Sequence, residues 1–235
     1  MGGRGASAGV RGSYGRTTAQ DKTIKKFAKR TANLKNEQYR IIDADGNVVF
    51  EKKGNRDSVA STVGEKREYL NGNISLHNHP DGGTFSADDL RDFGYGAKEI
   101  VISTPEGTYR LINRKYGTKN ESSGWYNMHE KLTNSVSNQL SLYQLRKQAR
   151  KNTENSETAK SIREITNKAN QIRATKGVTA ANQYWDSVKS KYDSLNKKLN
   201  TEINKEKRRI EVQPYHDFYK QNANKYGFTY RFEKN

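Results

Sequence analysis

Residues 76–90, LHNHPDGGTFSADDL, decide how this chain is read. Two of its four histidines, His77 and His79, stand two positions apart. Residues 73–79 alternate as a strand does, so both imidazoles are expected on one face of a sheet and Asn78 on the other. Gly82 and Gly83 permit a sharp reversal of the chain. Ser86 is a good helix N-cap, and Asp89 at the third helical position can return a bond to its backbone. Two neutral imidazoles near a carboxylate make the donor set of a divalent metal site. Catalytic zinc takes three protein ligands and leaves a fourth position for water. The plainer reading of the same residues is a capping box behind a strand that carries two histidines.

Composition narrows the choices. The chain has 235 residues, enough for one good domain with appendages or two small ones. Only 31% of it is hydrophobic, too little for all of it to be core. There is no cysteine, which excludes disulfides, thiolate ligands and cysteine nucleophiles, so any zinc must be held by histidine and carboxylate. No apolar run reaches the roughly 18–20 residues that cross a bilayer, and no apolar leader is present, so a cytoplasmic setting without a membrane is expected.

The net charge of +17 is unevenly placed. Residues 1–36 carry 9 basic and 1 acidic side chains, and residues 117–213 carry 19 and 10. Between them, residues 37–116 carry 11 basic and 13 acidic ones. A slightly acidic core thus lies between two basic arms, a distribution that attracts nucleic acid or another polyanion. Lysine-rich helices that are simply well solvated produce the same count.

The periodicity gives an α/β core with a helical arm. Residues 1–17, rich in Gly, Ser and Arg, are expected to be a disordered tail. Residues 18–36 place Ile24, Phe27, Ala28, Thr31 and Leu34 on one helical stripe. Strands are expected at Tyr39–Ile42, Val48–Glu51, 73–79, Glu99–Ser103 and Thr108–Ile112, with turns at Asp43–Asn47 and Thr104–Gly107 and a short helix near Glu65–Leu70. Residues 37–116 form this mixed core. From 117 to 213 the spacing is helical. Trp125, Met128, Leu132, Val136, Leu140 and Tyr143 make one stripe; Ala159, Ile162, Ala169 and Ile172 make a second. Val188, Tyr192, Leu195, Leu199, Ile203 and Ile210 make a third, close to coiled-coil spacing. Gly177 marks a break and Pro214 is expected to end the last helix. Residues 214–235 then offer a short helix and an alternating strand, Phe228–Phe232, expected to return to the sheet and make the arm an insertion. Such an arm also invites contact with a partner or a second copy.

The order His77-Asn78-His79-Pro80 followed by Ser86-Ala87-Asp88-Asp89 resembles the JAMM motif of JAB/MPN metalloproteases, in particular the RadC-like branch with its H-N-H-P. The segment Glu37-Gln38-Tyr39-Arg40-Ile41-Ile42-Asp43 resembles the strand on which that family carries its glutamate, and Val49–Asn55 the strand and Gly turn after it. The likeness covers about residues 35–116. It implies a JAB/MPN-like mixed sheet, with zinc held by His77, His79 and Asp89. Glu37 would activate the zinc-bound water and Ser86 would stabilise the oxyanion. The reaction implied is hydrolysis of a peptide or isopeptide bond in a protein or protein conjugate. Six residues, Pro80–Phe85, separate His79 from Ser86 where the family usually has seven, which leaves Asp88 as a substitute ligand. Glu51, Glu65 and Glu68 are alternatives to Glu37. The first residues and the closing Lys-Tyr-Gly-Phe-Thr-Tyr-Arg-Phe are similar to segments of phage and prophage proteins of Gram-positive bacteria, which implies a mobile-element origin and a place in the host cell or the virion. A catalytically silent JAB-like scaffold, its basic arms holding nucleic acid or a phage structural partner, is the other function the sequence allows.

Overall fold

The computed structural model describes residues 15–55, 59, 63–86, 88–116, 121–136 and 140–234. The expected disorder of residues 1–14 and part of the loop before Glu65 lie outside these. Two compact units divide the chain: residues 1–138 with 212–235, and residues 139–211.

The first unit is a six-stranded mixed sheet between helices. Its strands are β1 (Gln38–Ile42), β2 (Val48–Lys53), β3 (Ile74–Asn78), β4 (Glu99–Ser103), β5 (Gly107–Asn113) and β6 (Phe228–Lys234), in spatial order β2-β1-β3-β4-β5-β6. Only β3 and β4 run parallel; every other neighbouring pair is antiparallel. A parallel pair needs a crossover, and residues 79–98 supply it. The β1–β2 turn works because Asp43 accepts from the backbone N–H groups of Asp45 and Asn47, while Gly46 takes φ 77°. β6 pairs with β5 along its whole length, so the helical segment between them is an insertion, as its alternation predicts.

Each sheet face is covered. Helix α1 (Thr18–Thr31) starts at a capping box on Thr17 and Gln20. It lays Ile24 and Phe27 on Ile42, Ile74, Leu76 and Val101. Full burial of a side chain such as Phe27 contributes about 1.5–3 kcal/mol. On the other face, Tyr39, Ile41, Ile100, Ile102, Tyr109 and Leu111 meet Leu70 of α2 (Val63–Leu70), Phe93 of α3 (Arg91–Gly94), and Met128 and Leu132 of α4 (Glu121–Val136). Phe218 and Tyr219, from the helix that precedes β6, complete this core.

Four expectations change. Arg16, placed by composition in the disordered tail, is buried and paired with Glu99 and Asp21. Its aliphatic stem and guanidinium are ordered because a buried carboxylate awaits it. Helix α4, expected in the arm, packs into the core through Met128 and Leu132, whereas Leu140 and Tyr143, later on the same stripe, are exposed. Ser86 and Asp89 form the reciprocal bonds of a capping box, yet only Arg91–Gly94 is helical. The intervening turn is closed instead by tight bonds from Arg91, Asp92 and Phe93 to carbonyls three residues back. Pro214 does not end its helix, which continues to Asn222. The proline removes one backbone donor without displacing the helix, because Phe218 and Tyr219 beyond it are anchored in the core.

The second unit is built from α5 (Leu142–Thr153) and the greater part of α6 (Glu157–Asn222). Gly177 interrupts α6 with φ 83° and ψ 177°, a conformation that glycine adopts without strain. The two limbs then run antiparallel: Thr158 Oγ1 donates to Glu202, and Lys168 Nζ sits 5.6 Å from the centre of the Tyr184 ring. Among the described residues, no helix is long and apolar enough to cross a membrane.

Candidate metal centre

His77 is the fourth residue of β3 and His79 the first residue beyond it. β3 is buried throughout, because it is paired on both sides and covered on both faces. Alternation turns Ile74 and Leu76 towards α1 and His77 towards the other helices. The two imidazole rings lie 4.8 Å apart. Gly82, at φ 85°, turns the chain back, and the Ser86 capping box then aims Asp89 at the histidines.

The three side chains converge. Asp89 Oδ1 is 3.4 Å from His77 Nε2, and Asp89 Oδ2 is 3.8 Å from His79 Nε2. One ligand atom from each lies within 4.8 Å of the others, so the group could hold a metal ion. Tetrahedral zinc with ligands at roughly 2.0–2.2 Å sets neighbouring ligand atoms about 3.3 Å apart, close to the spacing between His77 and Asp89. Asp88, the substitute ligand that the short loop allowed, is exposed and pairs with Arg91 at 3.3 Å. The six-residue loop therefore delivers Asp89 and not its neighbour.

Polar bookkeeping supports a cation here. His77 Nε2 is buried and has no hydrogen-bond partner. An orphaned buried ring nitrogen is costly unless something fills the place beside it. The Gly83 carbonyl lies 3.0 Å from His79 Nδ1 and can only accept. That assigns a proton to Nδ1, and in the neutral ring this is the tautomer of metal-binding histidines, with Nε2 facing Asp89. Burial pushes His77 down from 6.5 to about 4, with His79 and Lys66 acting the same way against Asp89, so the ring is neutral at pH 7. For Asp89, burial works to raise the pKa, but His77, His79 and two bonds from Ser86 outweigh it and hold the carboxyl below its ordinary value. At neutral pH the donor set thus includes the neutral His77 imidazole and the Asp89 carboxylate, with the His79 ring beside them.

Glu37 precedes β1, where its backbone bonds Asn55 and Gly54 at the end of β2. Tyr39 pairs with His77 across the antiparallel ladder, and this register carries Glu37 to the level of His79 on the same face. Asn78 secures the segment from the opposite face. Its Oδ1 accepts the Gln38 N–H at 2.7 Å, and its Nδ2 donates to the Asn36 carbonyl at 3.2 Å, bracketing Glu37 on both sides. The alternative glutamates are occupied elsewhere. Glu51 pairs with Arg40 and Glu65 with Lys52, each at 2.6 Å, and Glu68 is exposed on α2. Ser86 is exposed at the site, with its hydroxyl donating to Asp89 Oδ2 at 2.8 Å.

Three neighbours of the site escaped the sequence reading. Tyr39 sets its ring edge-on to His77, and its hydroxyl donates to Asp92 Oδ2 at 2.8 Å. Lys66 donates to the other oxygen of Asp92 at 2.6 Å. Tyr219 donates to the Phe85 carbonyl at 3.1 Å, holding the loop immediately before Ser86. The only local signal was Asp92 itself, an acidic residue beside Leu90 and Phe93 on the apolar side of its turn.

No protein-family model, curated protein or solved structure matches this chain. The chemistry of the site therefore stands on its own geometry.

Proposed function

We propose that the chain is a zinc-dependent peptidase or isopeptidase of the JAMM type, associated with a phage or other mobile element. The observation that carries this reading is the convergence of His77, His79 and Asp89 around a buried, unpartnered His77 Nε2. When bound, zinc would supply a Lewis acid that lowers the pKa of a coordinated water to about 7. His77, His79 and Asp89 would hold the ion. Glu37 would take a proton at its carboxylate from the water that attacks the carbonyl carbon, and return it to the nitrogen released as the carbon–nitrogen bond breaks, the work of a general base that becomes a general acid. Ser86 turns its hydroxyl from Asp89 to the developing oxyanion, where one well-placed donor is typically worth a factor of 10²–10³ in rate. The substrate class is a protein or protein conjugate.

The test is Glu37→Gln, assayed against ubiquitin-like fusions and phage head proteins. The variant should keep its metal and lose hydrolysis; full activity would remove Glu37 from the mechanism.

A second reading, a silent scaffold whose basic arm holds nucleic acid or a phage structural partner, is favoured by α5. That helix exposes Arg146, Lys147, Arg150 and Lys151 with no acidic residue among them, next to an exposed Tyr143. Cations on one helix face beside an aromatic ring suit phosphate contact and base stacking. Salt-sensitive binding to single-stranded nucleic acid, without hydrolysis of any protein, would favour it over the peptidase.

A further inference from the structure

Lys66, Asp92 and Tyr39 come from α2, α3 and β1 and meet beneath His77. Asp92 is 1% exposed and Tyr39 4%, and Lys66 is mostly covered. The Asp92 carboxylate takes the Lys66 ammonium on one oxygen and the Tyr39 hydroxyl on the other. Lys66 Nζ also sits 4.9 Å from the centre of the Tyr39 ring. The far edge of this assembly is the Tyr39 ring, which meets the His77 ring at 5.9 Å and 85°. Tyr39 and His77 are direct cross-strand partners, so the contact is fixed by register.

A buried ion pair is a poor stabiliser, since apolar residues of similar volume serve as well or better. Its place against a candidate ligand needs another reason. Metal-binding histidines are held in orientation by groups behind them, and loss of such groups typically costs 10–100-fold in affinity. Tyr39 can hold His77 only if its own ring is held, and the bond to Asp92 does that. Lys66 in turn aims Asp92 and works against the rise in pKa that burial imposes on it. We propose that Lys66, Asp92 and Tyr39 form a positioning network that fixes the His77 ring with Nε2 turned towards Asp89. The inference rests on the metal-site reading of His77, His79 and Asp89.

The test uses the full chain with Tyr39→Phe and Asp92→Asn. Zinc affinity is measured by competition with a chromophoric chelator, and ligand geometry by the visible spectrum of the Co2+-loaded protein. Both variants should take one metal ion, 10–100-fold more weakly than the parent, with a displaced Co2+ band. Tyr39→Phe keeps the ring and the packing, so it carries the test if Asp92→Asn fails to fold. Unchanged affinity and spectrum in Tyr39→Phe would overturn the network while leaving the metal site intact. A parent chain that binds no metal would overturn both.

Discussion

Two buried polar clusters sit in the same sheet and behave oppositely. On the α1 face, Glu99 at the start of β4 is shared by Arg16 and Arg110, and Arg110 reaches on to Glu233 at 3.2 Å. Each guanidinium there meets a carboxylate. At the other end of β3, on the opposite face, two histidines and an aspartate come together with His77 Nε2 unpartnered. In the first cluster opposite charges meet, and it ties the segment before α1 to β4, β5 and β6. The second has the donors of a cation site and no cation of its own among the described side chains. The contrast teaches that burial of charge alone does not mark a functional site; an unmatched set of ligand atoms does.

The sharpest way to break this contrast is His79→Ala. It should abolish metal binding, and with it the thermal stabilisation that zinc gives the parent chain. Retained stoichiometric binding would show that the ligand set is wrong. Glu99→Ala is the matching test of the first cluster. It leaves Arg16 and Arg110 buried without their shared partner and should cost about 3–5 kcal/mol in denaturant unfolding, while the folded fraction still binds metal. Reduced metal stoichiometry in that fraction would join two clusters that the geometry separates.

A smaller effect concerns pH in the metal-free protein. Burial depresses His77 to about 4 in the folded chain, against 6.5 in the unfolded one. Above pH 6.5 the ring is neutral in both states and its contribution is constant. As pH falls from 6.5 towards 4 the unfolded chain gains a proton that the folded chain does not, so stability declines across that window. Melting temperatures between pH 7 and pH 4 should show the decline, and His77→Gln should flatten it. An equal slope in the variant would assign the loss to other groups.

Much of the sheet was legible because strand alternation and turn chemistry are local. Asp43–Asn47 and Thr104–Gly107 announce their turns, and Phe228–Phe232 alternates clearly enough to return to the sheet. Asp89 was legible too, since a Ser-x-x-Asp spacing after a histidine strand is a local pattern. What the sequence hid depends on contacts between distant residues. Arg16 reads as tail until Glu99, 83 residues away, is brought beside it. Tyr219 is 134 residues from the Phe85 carbonyl it holds, and Asp92 is 53 from Tyr39. Helix α4 has the same stripe as an arm helix, and only its packing against Phe93 and the sheet assigns it to the core. Pro214 shows the converse, a strong local signal overridden by tertiary anchoring.

The most direct measurement is the metal content of the purified full chain after reconstitution with zinc and removal of the excess. One zinc per chain, falling to none in His77→Ala and His79→Ala, is the expected result. A parent chain that retains no divalent metal at neutral pH would contradict the account at its centre.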